Sequence, residues 1–98
     1  MQKNRCTIYN VTLTAANTEY SQLLPDYTKD ISIQCRTAYD VRFAFVTGKV
    51  ATPTAPYATI KNGGGYGSDN MRTLETNPQT LYLASAQAGV VVEIVVWQ

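Results

Sequence analysis

The chain has 98 residues, of which 45% are hydrophobic and 15% are charged, and its formal net charge is +1. This length allows one domain with one modest core, and the apolar content excludes a disordered chain. A near-neutral charge without a basic stripe argues against a nucleic-acid partner. Because histidine is absent, histidine zinc sites and nucleophiles activated by histidine are excluded as well.

Neither a leader sequence nor a membrane span is visible in the sequence. Lys3 and Arg5 are not followed by the apolar segment of a signal peptide. The longest apolar run, AGVVVEIVVW, is about half the length that spans a bilayer, and Glu93 interrupts it. We therefore expect a single domain over residues 1–98, in a reducing cytoplasm and without a membrane partner. Residues 1–5 are expected to form a flexible arm or a simple solvated end.

Alternating apolar and polar residues predict strands from the start of the chain. CTIYNVTLT is rich in residues that favour strands, and ISIQCR places Ile31, Ile33 and Cys35 on one face. Cys35 is therefore expected in the core. Cys6 is expected there too, beside Ile8, or alternatively in a disulfide with Cys35. VRFAF repeats the alternation, and the short TAYD between these two segments predicts a hairpin turn.

The glycine-rich stretch IKNGGGYGSDN raises the choice between a phosphate loop and a tight turn. It follows VATPTAP, residues 50–56, which predicts a long loop. A phosphate loop of the Walker type needs a lysine after its last glycine and a helix behind it, and both are missing. Asn62 and Gly63 form a favourable type I′ pair. We therefore predict a hairpin here and no nucleotide cofactor.

The C-terminal third completes an all-β pattern. TLYLAS alternates Leu81 and Leu83 against outward residues, and GVVVEIVVW is the strongest strand in the chain. No segment has the apolar spacing of a helix longer than one turn. About seven or eight short strands, separated by Gly, Pro and Asn turns, predict an all-β fold. The expected architecture is a single-domain antiparallel β-sandwich, jelly-roll-like, with essentially no helix.

The last strand is apolar on both faces, which is unusual in a sandwich. The face predicted to lie in the core consists of Val90, Val92, Ile94 and Val96. The opposite face carries Val91, Val95 and Trp97. Glu93 is its only charge, and the alternation of TLYLAS turns Tyr82 outward beside it. Either a loop or a second subunit must cover such a surface. We favour a subunit, and the candidate interface residues are Tyr82, Val91, Val95 and Trp97.

Four further residues are candidates for loop contacts: Tyr57, Tyr66, Asp69 and Asn70. The two tyrosines flank the glycine turn, and tyrosine is favoured at recognition surfaces; the alternative is that both pack under loops. The acidic residues show no spacing typical of a glycosidase pair or a calcium loop. We therefore predict no catalytic residue, no metal and no cofactor, and we do not expect an enzyme.

Two segments resemble small structural proteins encoded in tailed-phage genomes. They are LTAANTEYSQLLPDYTKDISIQCRTAYDVRFAF and TLYLASAQAGVVVEIVVWQ, and the likeness covers roughly residues 13–97. It rests on strand rhythm and on short phrases such as NTEYS, ISIQCR and VEIVVW, not on a catalytic motif.

The resemblance implies a small β-sandwich of the virion, such as a capsid decoration or cement protein or a minor head or tail component. Its implied partners are the major capsid protein or other virion proteins, and it carries over no enzymatic residues. Together with the apolar outer face of the last strand, this predicts a homo-oligomer. The implied location is the virion, and the host cytoplasm during assembly. The alternative is a carbohydrate- or receptor-binding module of a tail or fibre, using the aromatic, carboxylate and amide groups of Tyr57, Tyr66, Asp69 and Asn70.

Overall fold

The protein folds as two packed β-sheets. The computed structural model describes residues 5–69 and 78–98, and these form two four-stranded sheets. The strands are β1 (Cys6–Leu13), β2 (Tyr20–Leu23), β3 (Asp30–Cys35), β4 (Val41–Ala44), β5 (Ala58–Ile60), β6 (Gly65–Ser68), β7 (Thr80–Ala84) and β8 (Val90–Trp97). We call β1-β8-β3-β6 the front sheet and β2-β7-β4-β5 the back sheet. These described residues contain no helix, and the predicted all-β sandwich is confirmed.

Each sheet combines strands from both ends of the chain, which is the arrangement of a jelly roll. In the front sheet β8 lies between β1 and β3 and pairs antiparallel with both. In the back sheet β7 lies between β2 and β4, again antiparallel to both. One of the two inner strands of each sheet therefore comes from the C-terminal part of the chain, and both sheets are completed only when that part is in place.

Alternate residues of the central strands fill the space between the sheets. The inward side chains of β8 are Val90, Val92, Ile94 and Val96, none of them more than 1% exposed. In the core they join inward side chains of β3 in the same sheet and of β4 and β7 in the back sheet, which are Ile31, Ile33, Val41, Phe43, Leu81 and Leu83. The predicted inward faces of these strands are confirmed. Because inward and outward residues alternate strictly along β8, its other face is directed away from the core.

The predicted hairpin at TAYD does not form. β3 lies in the front sheet and β4 in the back sheet, so residues 36–40 carry the chain from one sheet to the other. The two strands are close in sequence, but each finds its partners elsewhere: β3 pairs with β8 and β6, and β4 pairs with β7 and β5. A turn signal is local, whereas the shared core between two sheets decides which strands pair.

The glycine-rich turn also crosses between sheets, because β5 belongs to the back sheet and β6 to the front sheet. The amide of Gly64 donates to the carbonyl of Lys61 at 2.7 Å. Gly63 has φ of 81°, and Asn62 is not among the residues with positive φ. This is the pattern of a type II turn and not of the type I′ turn that a two-residue hairpin needs. The predicted hairpin is wrong here too.

The loop between β4 and β5 covers part of the outer face of the back sheet. It runs over residues 45–57 and includes the predicted VATPTAP loop. Val50, near its middle, is fully buried and packs with Ala44, Ala84 and Tyr82, which point outward from β4 and β7. The part of the back sheet around Ala44, Tyr82 and Ala84 is therefore shielded on its outer side by the chain's own loop.

Two charged side chains fasten this loop to the sheet. Arg42 donates from Nε to the carbonyl of Val50 at 2.8 Å and from Nη2 to Oδ1 of Asn17 at 2.8 Å. Glu19 accepts a hydrogen bond from the amide of Gly48 at 2.9 Å. Hydrogen bonds to charged groups are stronger than neutral ones, so residues 45–57 are held in place across the back sheet.

We predict that Ile94→Ala destabilises the fold by about 2–5 kcal/mol, because it removes three carbon atoms from a fully buried site and leaves a cavity. The control is Val95→Ala on the same strand, which trims a half-buried outward residue and costs about 1 kcal/mol or less. Urea unfolding of both variants measures the difference. Equal losses of unfolding free energy in the two variants would contradict the difference in burial between the two faces of β8.

Candidate functional site

The outward side chains of the front sheet form ordered rows, and we call this surface the outer front face. The registers of β1, β3 and β8 are continuous over most of their length. From β1 the face receives Cys6, Ile8, Asn10 and Thr12; from β8, Val91, Glu93, Val95 and Trp97; and from β3, Asp30, Ser32 and Gln34. Gly65 and Gly67 are the outward residues of β6, so that side of the face is flat.

Apolar side chains remain exposed on the outer front face. Ile8 is 63% exposed and lies directly opposite Val95 in the register, and Trp97 is 45% exposed at the end of the same strand. Val91 and Val95 are half-buried. None of the described residues covers these side chains. Ile8, Val95 and Trp97 therefore form an exposed apolar row across β1 and β8. Three of the predicted interface residues, Val91, Val95 and Trp97, lie together on this face.

Tyr82 does not belong to this surface. It lies in β7 of the back sheet, where it pairs with Ser21 and Ala44 and packs with Val50. The prediction that it points outward is confirmed, but its expected place beside the last strand is wrong. Alternation along a segment shows which residues point away from the core, and it contains no information on which of two sheets the strand joins.

Glu93 is a charged residue of the same face, beside Val91 and Val95, and its carboxylate is hydrogen-bonded. Glu93 accepts hydrogen bonds from Nε2 of Gln34 at 2.8 Å and from Nε of Arg36 at 2.9 Å. The hydrogen bond from Gln34, followed by the hydrogen bond and charge of Arg36, holds the pKa of Glu93 below its ordinary value. The carboxylate is thus paired within its own chain, and it does not oppose the covering of this face as a lone charge would.

The two cysteines are separate, and neither forms a disulfide. Cys35 packs against the core as predicted, and its Sγ lies 3.4 Å from Oγ1 of Thr37. The expectation that Cys6 and Ile8 lie in the core is wrong, because both are exposed on the outer front face. Across β8, Cys6 lies opposite Trp97 while Cys35 lies opposite Val92, near the other end of that strand.

The predicted loop-contact residues do not converge on one site. Tyr66 pairs with Ile33 and turns toward the core side, where its ring centroid lies 4.8 Å from that of Phe43. Tyr57 lines a shallow apolar depression of about 280 Å³ at the edge of the back sheet. Asp69 lines a different groove, next to Trp97. The remaining candidate, Asn70, lies outside the described residues.

The groove beside Trp97 was not predicted from the sequence. It has a volume of about 530 Å³, and its lining residues are Asp30, Ile31, Gly67, Ser68, Asp69 and Trp97. Asp30 and Trp97 are direct cross-strand partners, although they are 67 positions apart in the sequence. No local signal could have joined them, because their proximity depends on the pairing of β3 with β8.

A metal centre and a membrane-spanning helix are two further features to consider in residues 5–69 and 78–98. No group of three or more Cys, Asp or Glu side chains there is arranged to hold a metal ion. The same ranges contain no helix long and apolar enough to cross a membrane. Comparison with known protein families, curated proteins and solved structures found no match to this chain. A functional proposal therefore rests on the sequence pattern, the fold and its surfaces.

We predict that the pKa of Glu93 lies below the ordinary value of a glutamate, because the folded chain binds its charged form through Gln34 and Arg36. This stabilises the fold above the unfolded pKa, and the contribution is lost as the pH falls through the lowered folded pKa. Carbon-13 NMR of the carboxylate measures the pKa directly. Arg36→Gln should raise it toward the ordinary value. In Glu93→Gln, the acid-dependent loss of stability below about pH 5 should be smaller than in the wild type. A wild-type pKa at or above that of a glutamate in an unfolded peptide would contradict this assignment.

Proposed function

We propose that this protein is a non-enzymatic structural protein that self-associates through its outer front face and assembles with other proteins of a phage virion. The observation that carries the self-association is the exposed apolar row of Ile8, Val95 and Trp97. Contiguous apolar surface of this kind typically marks an interaction site.

The contrast between the two sheets supports this proposal. The loop of residues 45–57 lies across the outer face of the back sheet. Its Val50 packs against Tyr82 of β7. Across the front sheet the described residues provide no such cover, and Ile8 stays 63% exposed. A monomer would gain by covering both sheets, so the uncovered one is the better candidate for a surface that a partner covers.

The shape of the outer front face also suits close association. Gly65 and Gly67 leave the β6 side without side chains, and the charge of Glu93 is already paired with Arg36 at 2.9 Å. Around Glu93 this face can therefore approach a second sheet without leaving a lone ion buried. The driving force is burial of apolar area, about 25 cal/mol per Å², reduced by the free-energy cost of association.

The virion part of the proposal is supported by the resemblance to phage structural proteins and by the jelly-roll arrangement, which occurs in capsid domains. Lectins share this arrangement, but a carbohydrate- or receptor-binding role has less support, since Tyr57, Tyr66 and Asp69 face three different surroundings. The expected partners are the major capsid protein or other virion proteins. Gene context tests this part: neighbouring capsid genes support it, and an operon of metabolic enzymes contradicts it.

We predict that Ile8→Asp weakens self-association at least about tenfold, since covering the new carboxylate would cost more than about 1.4 kcal/mol. Analytical ultracentrifugation over a concentration series measures the change. Leu23→Asp is the matched control, because Leu23 is 59% exposed on the outer face of the other sheet, also on a strand at the sheet edge.

Both positions are exposed, so both variants should keep the wild-type melting temperature within a few degrees, as circular dichroism can verify. Loss of association in Leu23→Asp with retention in Ile8→Asp would move the interface to the back sheet. A wild-type protein that sediments as a monomer at every concentration would contradict self-association altogether.

A further inference from the structure

We infer that the free edge of β1 pairs antiparallel with the same edge of a second copy of this chain, about a two-fold axis at Tyr9. This contact goes beyond the proposed function, because it uses backbone groups at the side of the front sheet and not the side chains of its outer face. It joins two front sheets into one sheet. The two outer front faces then lie side by side and stay open to further association.

β1 is a long strand at the edge of its sheet. The edge strands are β1 and β6 in the front sheet and β2 and β5 in the back sheet. β1 has eight residues, whereas each of the other three has three or four. A short edge strand offers few backbone groups to an outside strand, and β1 lacks this protection.

The hydrogen-bond pattern shows which backbone groups of β1 point away from the sheet. The amide of Arg5 donates to the carbonyl of Gln98 at 3.3 Å, and the amide of Gln98 donates to the carbonyl of Arg5 at 2.8 Å. Such pairs alternate along an antiparallel ladder, so Thr7, Tyr9 and Val11 direct their backbone groups to β8. No other strand within residues 5–69 and 78–98 pairs with β1. The residues whose backbone groups point to the free edge are therefore Cys6, Ile8, Asn10 and Thr12.

The core side of β1 is incompletely covered at this edge. Tyr9 and Val11 pack against the core but are only half-buried. Their partners in β8, Ile94 and Val92, are 0% exposed. β8 has a neighbouring strand on both sides and β1 on one side, so a further strand beside β1 would bury more of Tyr9 and Val11.

The sequence of β1 lacks the features that commonly keep edge strands apart, which are charge, proline and bulges. It reads CTIYNVTL, without a charged residue, a proline or a glycine. Its register with β8 runs residue for residue from Cys6 to Leu13, without a bulge. Two copies of this strand can therefore lie side by side without like charges facing each other.

The spacing of the free backbone groups favours a second copy of β1 as the added strand. With Tyr9 on the two-fold axis, Cys6 lies opposite Thr12 of the second copy, and Ile8 lies opposite Asn10. Each such pair exchanges two hydrogen bonds, so the free groups of all four residues in each copy find partners within β1. Any other two-fold register leaves at least one of them out of phase or opposite a residue beyond the strand. The two Tyr9 rings then form an aromatic cross-strand pair.

Disulfide cross-linking tests this register. Thr12→Cys places a thiol opposite the native Cys6 of the second copy, and the Cα atoms of such a hydrogen-bonded pair lie about 5.5 Å apart, within the range of a disulfide. Both positions are exposed, so the substitution should leave the fold unchanged. Under mild oxidation we expect a covalent dimer on a non-reducing gel, formed at least about tenfold faster than in the controls.

The controls are the wild type and Cys6→Ser/Thr12→Cys, each of which has a single thiol in β1. In the proposed register the two copies of residue 6 lie about 20 Å apart along the strands, and so do the two copies of residue 12. Neither control should therefore form the dimer at the rate of Thr12→Cys. An equal rate in either control, or no dimer from Thr12→Cys, would overturn the inference.

Proline substitutions test the direction of the backbone groups. Asn10→Pro removes an amide that points to the free edge, so it should slow cross-linking of Thr12→Cys at least about tenfold. Asn10→Ala keeps this amide and should leave the rate close to that of Thr12→Cys alone. Val11→Pro removes an amide that is directed to β8, so its melting temperature should fall well below that of Asn10→Pro. Equal melting temperatures of the two proline variants, or equal cross-linking with Asn10→Pro and Asn10→Ala, would refute the free edge.

These experiments separate the edge contact from the proposed function, which Ile8→Asp tests by sedimentation. If Thr12→Cys does not cross-link but Ile8→Asp weakens association, the edge contact alone is refuted. If Thr12→Cys cross-links and Asn10→Pro suppresses the dimer, while association ignores Ile8→Asp, the interface on the outer front face alone is refuted. A monomeric wild type together with a Thr12→Cys chain that does not cross-link refutes both.

Discussion

The structure depends on β8 pairing with β1 on one side and β3 on the other. This strand supplies four fully buried residues to the core and, through its other face, the centre of the outer front face. Its two neighbours come from the first part of the chain, so its pairing joins the C-terminal region to β1 and β3. The register of these pairs decides which residues of β1, β8 and β3 are neighbours, including Ile8 with Val95 and Asp30 with Trp97.

A two-sheet fold has two outer faces, and in this protein they differ in how far the chain itself covers them. The long loop between β4 and β5 lies on the back sheet, where Arg42 and Glu19 hold it through hydrogen bonds to the loop backbone. On the front sheet, the polar pairing of Glu93 with Gln34 and Arg36 occupies the centre, and exposed apolar side chains lie beside it. The loop therefore covers apolar surface on the back sheet. We attribute the covering of apolar surface on the front sheet to association.

Much of this fold could be predicted from alternation alone. In β3, β7 and β8 the pattern of apolar and polar residues identifies the buried face correctly, because each strand of a sandwich has one face in the core. Strand pairing could not be predicted in this way. Both expected hairpins join strands of different sheets, and Tyr82 was assigned to the wrong side, since sequence distance says little about which strands share a sheet in a jelly roll. The position of Cys6 shows a related limit, because short alternating segments with polar residues on both faces leave the inward face undecided.

Chemical labelling of the cysteines tests the central claim, that the outer front face is covered by association, most directly. Cys6 lies exposed on this face, and Cys35 packs against the core as an internal control in the same chain. We predict that the rate of maleimide labelling at Cys6 falls as protein concentration rises through the association midpoint, while the rate at Cys35 stays constant. An unchanged rate at Cys6, at concentrations where sedimentation shows the oligomer, would contradict the claim.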